Sequence, residues 1–479
     1  MSYIEYHVAR RYVQFEGALR ELANYASLIG RKVLILTACA PVTEQVVAKI
    51  REGIDAPAAK WMNPQLAADS PRYARYMPMT DRFDALRREM EFEFYDIGDT
   101  VVAEENIRRV AKYVQARGVD TVVGVGGGKG QDFARALTHF VPVKVILVPT
   151  LAATNASIST LSVLYSPDGA KIEQYWRMDS APDLVLADTE VLVANGPRVL
   201  AAGIGDITST YYEALCNLKM TGRTDILPAL SYEGVRLAVD VMRRQAPKAV
   251  EAARAGKANN EFESVVSMIL HNCGPLGMIC TMGFAHVLDE VFLGFEASHK
   301  TPHGLRVGYA TIPMLLYTGM GEEETRQYAA FCKQVGIPTT LAELGLDGIS
   351  DEEWLRAYNE TAGRSGTLKT LPFAVTPEQL IGSLKTARKL TGFRALYFHY
   401  CYLLGIFPKN RPQQSKKRLH FLLREDLLKL DAITAETRLL IGHRIDTAEQ
   451  LFCYRDEVNG KIEALTSDRK QLYKLQRTA

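Results

Sequence analysis

The first 200 residues alternate between short apolar runs and segments with helical spacing. KVLILTA (Lys32–Ala38) and VKVILVPT (143–150) are β-branched runs typical of buried parallel strands, and EFEFYDIG (Glu91–Gly98) alternates. AEENIRRVAKYVQARG has helical spacing, and its last residue, Gly118, is placed to end the helix. Strands that alternate with helices indicate βαβ units. We therefore predict an α/β domain with a parallel, Rossmann-like sheet over residues 1–200.

The pattern changes beyond residue 200, where strand signals nearly vanish. NEFESVVSMILHNC and EETRQYAAFCKQVG have helical spacing, which predicts an all-α domain over residues 201–390. FPKNRPQQSKK (Phe407–Lys417) is a break rich in proline and basic residues, and only helical patterns follow it. Residues 391–479 are therefore predicted to form an extra helical tail.

Composition places the chain among ordinary globular proteins. Hydrophobic residues make up 47% and charged residues 23%, and the net charge of +2 indicates neither a nucleic-acid nor a membrane partner for the whole chain. No apolar run approaches the roughly 20 residues that span a bilayer, and the first residues lack the apolar core of a signal peptide. The seven cysteines form no CxxC pair, as expected of reduced thiols. We therefore expect a cytoplasmic protein.

Two segments have the composition of ligand-binding loops. VGVGGGKGQD places Gly126, Gly127 and Gly128 where a strand ends and a helix begins, so backbone N–H groups there could bind a phosphate. A tight turn between strand and helix is the alternative. VPTLAATNASISTLSVLY (148–165) is a hydroxyl-rich loop after the next strand, at the sheet edge where ligands of open α/β folds bind.

One aspartate and two histidines are candidate metal ligands. Asp206 lies among small and apolar residues in AAGIGDITSTYYEA, and it is either an N-cap or a ligand. His286 and His303 are too far apart for one helical face, but they suit two neighbouring helices whose ends converge. Pro302 indicates that the second helix begins near His303. An ordinary hydrogen-bonded core histidine is the alternative for each.

Taken in order, these motifs resemble the iron-containing alcohol dehydrogenase superfamily, and most closely its glycerol dehydrogenase branch. The matching segments are GVGGGKGQD, VPTLAATNASISTLSVLY, PDLVLADTEVL with GIGD, GFAH and HKTPHG, and they span about residues 1–390. The resemblance implies a dehydroquinate-synthase-like fold, in which a dinucleotide-binding α/β domain and a helical metal-binding domain enclose the active site.

The resemblance also implies a role for each matched residue. Asp206, His286 and His303 become the metal ligands, and His299 becomes a proton relay, with a solvent-facing loop histidine as the alternative. Asn155 stands at the substrate position, where glycerol dehydrogenases have aspartate, so the identity of the polyol stays open. The implied contacts to the cofactor are Gly126, Gly127, Gly128 and Lys129 for the pyrophosphate, and Thr150, Thr154, Ser159, Leu161 and Tyr165 for the nicotinamide side.

The implied activity is a metal-dependent, NAD(P)-linked alcohol or polyol dehydrogenase. It would oxidise a secondary hydroxyl, or reduce a hydroxyketone or 2-oxo acid, with the metal stabilising the alkoxide. The cofactor is NAD, with NADP as the alternative because Ala38 stands where relatives have an acidic residue. Zinc is favoured over iron because Thr210 stands where iron-type relatives have a histidine. We expect a small-molecule substrate and a homo-oligomer.

The tail differs in charge from the rest of the chain. From Thr391 onward, 16 Lys and Arg stand against 10 Asp and Glu, and Leu451, Val458, Leu465 and Leu472 repeat at heptad spacing. This segment is similar to an internal part of plasmid-mobilisation relaxases, without their catalytic motifs. It is either a self-packed helix pair or a contact to DNA or a protein, through Arg411, Lys416, Lys417 and Arg418. The alternative function is therefore a degenerate, non-enzymatic dehydrogenase domain fused to a mobilisation-type tail.

Overall fold

The computed structural model describes residues 9–38, 44–56, 80–169, 172–222, 229–272 and 283–387. Contacts divide the chain into one unit, Met1–Arg388, which holds all of these residues, and a second, Lys389–Ala479. The predictions made for the tail lie outside the described residues. Within the described ranges, no helix is both long and apolar enough to cross a membrane.

Six parallel strands form the central sheet, as predicted. Their order is β1-β8-β5-β4-β2-β3, and every neighbouring pair is parallel. Strands β6 and β7 form a separate antiparallel hairpin, so the end of the predicted loop 148–165 is a strand instead. The strands are β1 (Tyr12–Phe15), β2 (Lys32–Ala38), β3 (Glu91–Gly98), β4 (Thr121–Gly126), β5 (Lys144–Pro149), β6 (Leu161–Tyr165), β7 (Ile172–Arg177) and β8 (Leu184–Asp188).

Helices surround the sheet and form the rest of the unit. Between residue 196 and residue 387, the described chain contains no strand, as the sequence predicted. The helices are α1 (Leu22–Ser27), α2 (Glu44–Asp55), α3 (Thr80–Arg87), α4 (Glu104–Arg117), α5 (Gly128–Ala136), α6 (Thr189–Val193), α7 (Gly196–Thr221), α8 (Ala229–Ala255), α9 (Asn260–Ser267), α10 (Phe284–Phe292), α11 (His303–Tyr317), α12 (Glu322–Val335), α13 (Asp351–Arg364) and α14 (Gly366–Thr370), with a further helical segment over 377–387.

Both faces of the sheet are buried, which explains the continuous apolar run of β2. Leu34 and Leu36 pack into one core with α4 and α5, whereas Val33 and Ile35 point to the opposite face and pack with α2. A parallel strand covered on both sides has no polar face, because side chains alternate between two dry layers. A third core lies among the helices.

The sheet has a topological switch point between β2 and β4. The chain leaves β2 toward β3 on one side and leaves β4 toward β5 on the other, so the connections diverge and open a crevice at the carboxyl ends. Gly126 and Gly130 flank Ala38 there, and a Cβ on Gly130 would lie only 2.6 Å from the Ala38 Cβ. The small residues therefore let the start of α5 approach the end of β2 closely.

Candidate active site

Asp206 lies in the middle of α7 and is only 3% exposed. The N-cap alternative is therefore wrong, since the helix begins ten residues earlier, at Gly196. The Asp206 Oδ2 atom accepts a hydrogen bond from the backbone N–H of Asn155 at 3.1 Å. This bond joins the helical part of the unit to the loop that follows β5.

The two histidines converge on Asp206 from two other helices. His286 lies in the first turn of α10, and His303 is the first residue of α11, directly after Pro302. Their Nε2 atoms lie 3.9 Å and 3.5 Å from Asp206 Oδ1. One ligand atom from each of the three residues lies within 4.8 Å of the others, so the structure brings the predicted ligands together.

Each histidine is oriented by a second carboxylate, which the sequence analysis missed. Glu213 Oε2 accepts a hydrogen bond from His286 Nδ1 at 2.8 Å, and Asp289 Oδ2 accepts one from His303 Nδ1 at 2.8 Å. Carboxylates only accept hydrogen bonds, so both Nδ1 atoms donate and both Nε2 atoms face Asp206. Glu213 comes seven residues after Asp206, and this spacing places both residues on one helical face. The spacing could therefore have predicted that Glu213 lies near the candidate ligands.

The charged groups around the cluster shift one another's pKa values. Burial by itself would raise the pKa of Asp289, but His303 and Arg306 lower it to about 2. Burial would also lower the pKa of His303, yet Asp289 and Asp206 raise it above the ordinary value for histidine. Arg306 Nε donates to Asp289 Oδ1 at 2.6 Å, so Asp289 links a histidine to a buried guanidinium.

This donor set can hold a divalent metal ion. Two imidazole nitrogens and one carboxylate oxygen, each imidazole backed by a carboxylate, form the ligand shell typical of a zinc site with one open position. Thr210 Oγ1 donates to the Asp206 carbonyl at 3.0 Å and is thus turned to its own helix. His299 is exposed and donates from Nε2 to the Leu293 carbonyl at 2.9 Å, outside the cluster.

The glycine turn lies on the other side of the cleft. Strand β4 ends at Gly126, and α5 begins at Gly128. A Cβ on Gly127 would lie 3.1 Å from Leu151 Cδ1, and a Cβ on Gly128 would lie 3.4 Å from Thr154 Oγ1. The turns after β4 and β5 are therefore in contact, and no described side chain caps the start of α5.

The other predicted cofactor residues follow this turn. Thr150 Oγ1 is completely buried and has no hydrogen-bond partner among the described residues. Ser159 Oγ accepts a hydrogen bond from the Leu161 N–H at 2.9 Å, where β6 begins. The Lys129 ammonium lies 5.2 Å from the centre of the Tyr165 ring.

Comparison with known proteins points to one family. The family model "Iron-containing alcohol dehydrogenase" matches residues 70–189. A glycerol dehydrogenase of Thermotoga maritima is 33% identical over 297 residues, which is 60% of this chain and 79% of that protein. A glycerol dehydrogenase of Citrobacter freundii is 32% identical over 286 residues, or 59% and 78% of the two chains. The crystal structure of a probable glycerol dehydrogenase from Sinorhizobium meliloti 1021 has the same fold, with a TM-score of 0.67 at 24% identity, and covers 81% of this chain and 99% of its own.

Proposed function

The chain belongs to the iron-containing alcohol dehydrogenase family, and on this premise we propose that it is a zinc-dependent polyol dehydrogenase that transfers hydride to NAD. It is an oxidoreductase acting on CH–OH groups. The predicted ligands, the predicted cofactor contacts and the choice of metal are parts of this proposal.

One observation carries the proposal: the hydrogen bond between the Asn155 N–H and Asp206 Oδ2, 3.1 Å long. It places the cluster of Asp206, His286 and His303 against the loop that follows β5, where the resemblance puts the nicotinamide. A hydroxyl group near the cluster would therefore have its carbon next to the nicotinamide. Holding the two reacting groups in contact is the main contribution that a protein makes to hydride transfer.

The metal would be held by Asp206, His286 and His303. A bound divalent ion supplies positive charge that lowers the pKa of a substrate hydroxyl. Glu213 and Asp289 keep both imidazoles oriented. Position 210 is a threonine whose hydroxyl donates to the Asp206 carbonyl in its own helix, so it adds no fourth ligand to the proposed set. A set of three protein ligands supports zinc.

The orientation of the nucleotide follows from the position of the cluster. If the nicotinamide lies at the loop after β5 and the pyrophosphate at the glycine turn after β4, the adenosine ribose lies toward β2 and β3. Ala38 offers no acid there, but Asp96 does, at the carboxyl end of β3. Its Oδ1 accepts hydrogen bonds from Thr37 Oγ1 at 3.2 Å and from the Gly98 N–H at 2.8 Å. A carboxylate at this edge favours the ribose hydroxyls of NAD over the 2′-phosphate of NADP.

The substrate is proposed to be a small polyol, in keeping with the glycerol dehydrogenases to which the chain is similar. Asn155 stands where the resemblance implies an aspartate. An amide supplies one acceptor and one donor, whereas a carboxylate accepts from two neighbouring hydroxyls and repels anions. The asparagine therefore supports a wider range of substrates, which includes hydroxyketones and 2-hydroxy acids alongside glycerol.

The test begins with protein stripped of metal by chelation. Zinc and Fe²⁺ are added back separately, and polyols, hydroxyketones and hydroxy acids are assayed with NAD and with NADP. We expect NAD-linked turnover that zinc restores and that Asp206→Asn abolishes, while Asp240→Asn, an exposed matched control on α8, leaves it intact. Absence of turnover with every substrate, or full activity in Asp206→Asn, would contradict the proposal.

The alternative of a degenerate domain fused to a mobilisation-type tail has no supporting observation among the described residues. Homo-oligomer formation, the cytoplasmic location and any contact between the tail and DNA stay predictions. A relay role for His299 also stays a prediction.

A further inference from the structure

A buried ion pair in α5 is used by none of the steps described above. Arg135 is 1% exposed and is among the largest fully buried side chains in the described part of the unit. Its Nη1 atom donates to Asp132 Oδ1, one turn earlier in the helix, at 2.8 Å. Burying two charges costs free energy, and a protein with a hydrophobic pair of similar size in their place is often just as stable. Stability alone therefore does not explain why this ion pair is present.

The two side chains of the pair make their remaining hydrogen bonds to one segment. Arg135 donates from Nη1 to the Leu161 carbonyl and from Nη2 to the Ala156 carbonyl. Asp132 Oδ2 accepts from the Val163 N–H at 3.3 Å, and the Asp132 carbonyl accepts from Ser162 Oγ at 3.0 Å. The pair thus holds both ends of the short segment 156–161 and the first residues of β6.

This segment lies outside the six-stranded sheet, and its other anchors include the burial of Ile158 in the helical core and a hydrogen bond from the Met178 N–H to the Thr160 carbonyl. Among the described residues, strand β6 pairs only with β7, outside the six-stranded sheet, and a two-stranded hairpin needs packing against other elements to be stable. Ser159 and Leu161, predicted to line the nicotinamide, lie within the segment or at its end. Helix α5, which carries the pair, begins at the glycine turn predicted to bind the pyrophosphate.

We propose that Asp132 and Arg135 are positioning residues that hold the nicotinamide-lining segment at a fixed distance from the phosphate-binding turn. The inference rests on the proposed function. The phosphates would be bound at the start of α5, and the same helix, through Arg135, would set where the nicotinamide half of the dinucleotide lies. The pair itself touches neither half of the cofactor.

The test measures binding of the ADP half of the dinucleotide separately from placement of the nicotinamide half. Arg135→Lys keeps the charge but cannot donate to Asp132, Ala156 and Leu161 together, and Asp132→Asn keeps the shape but removes the charge. ADP, which lacks nicotinamide, is titrated by calorimetry, and NADH is followed by its own fluorescence. Arg117→Lys, an exposed arginine on α4, is the matched control. Ser162→Ala removes a single contact to Asp132 and serves if either charge variant does not fold.

We expect ADP affinity to be unchanged in the variants, while the fluorescence enhancement of bound NADH falls. For whichever alcohol the wild type oxidises, kcat should fall by up to about 100-fold with little change in the KM for NAD, as a displacement of about 1 Å can cause. Loss of ADP and NADH binding in parallel, or wild-type NADH fluorescence in every variant, would overturn the inference. The fluorescence needs neither metal nor substrate, so it decides the inference even if no alcohol is oxidised. A wild type that binds neither nucleotide would overturn it too.

Discussion

Gly205 and Gly304 bring helices α7 and α11 into direct backbone contact, and each glycine lies next to a predicted metal ligand. A Cβ on Gly205 would overlap the carbonyl oxygen of Gly304, and one on Gly304 would overlap the carbonyl oxygen of Ala202. Because Asp206 directly follows Gly205 and His303 directly precedes Gly304, the close crossing sets how near the carboxylate and the imidazole can lie.

We therefore predict that Gly304→Ala separates the two helices. The free energy of unfolding should fall by about 1–3 kcal/mol, the usual effect of overpacking, and bound zinc should fall well below one equivalent. Gly363→Ala is the matched control, since a Cβ there meets nothing within 4 Å. Denaturant unfolding and metal analysis of the dialysed protein measure both effects, and a stable Gly304→Ala variant with full zinc content would refute the prediction.

Glu213 should govern how tightly the metal is held. It accepts from both the backbone N–H and the Nδ1 of His286, at 2.9 Å and 2.8 Å. Glu213→Gln offers His286 a weaker, neutral acceptor, so zinc affinity should fall about 10–100-fold. Competition with a chromophoric chelator measures this affinity, and Glu251→Gln, an exposed change on α8, controls for lost charge. Equal zinc affinity in both variants would contradict the role of Glu213.

Asp96 should set the preference between NAD and NADP. Asp96→Asn removes a charged acceptor for the ribose and a source of repulsion for the 2′-phosphate, so the ratio of kcat/KM for NAD to that for NADP should fall about tenfold. Glu91→Gln makes the same charge change at the opposite end of β3, beside Lys32, and should leave the ratio unchanged. The prediction fails if the two variants behave alike.

Asn155 should set the preference between polyols and anionic substrates. Asn155→Asp restores the carboxylate that the resemblance places there, so kcat/KM for glycerol should rise about tenfold relative to a three-carbon 2-hydroxy acid. Both substrates are assayed with the zinc-loaded wild type and variant, and zinc content is measured in parallel because the new charge lies near Asp206. An unchanged ratio at equal zinc content would argue against contact between residue 155 and the substrate.

Glu21 should make stability depend on pH. Burial raises the pKa of Glu21 to about 7, although Asn24, which donates to it at 2.5 Å, and Arg87 oppose the shift. Between about pH 4.5 and 7 the folded state then binds more protons than the unfolded state, so the free energy of unfolding falls as pH rises. Glu21→Gln cannot ionise and should be about 1–3 kcal/mol more stable than the wild type at pH 8, with little difference at pH 4.5.

Urea unfolding at the two pH values measures this effect. Glu89→Gln is the control, because that carboxylate is 71% exposed in its ion pair with Arg31. A stability difference between Glu21→Gln and the wild type that is the same at both pH values would show that folding does not raise the pKa of Glu21.

Local sequence signals predicted the bounds of strands and helices better than they predicted which elements contact each other. The β-branched run of β2 and the alternation of β3 were predicted at the observed bounds, and Gly118 ends α4 with a φ of 64°. Strand β6 was missed, because its hydroxyl-rich surroundings resemble a loop and its partner among the described strands, β7, follows it in the chain. The start of α7 was also missed, since the apolar residues around Asp206 do not show that the helix already began at Gly196.

The sequence by itself determined the fold class, the strands β2 to β5 and which aspartate and histidines were candidate ligands, because period and turn chemistry are properties of neighbouring residues. Only the tertiary structure decided that Glu213 and Asp289 orient those histidines and that Asp96 lies beside Thr37 at the end of β3. It alone showed that Arg135 joins α5 to β6. Each of these relationships depends on side chains from separate elements, and their distances are set by how helices and strands pack rather than by local sequence.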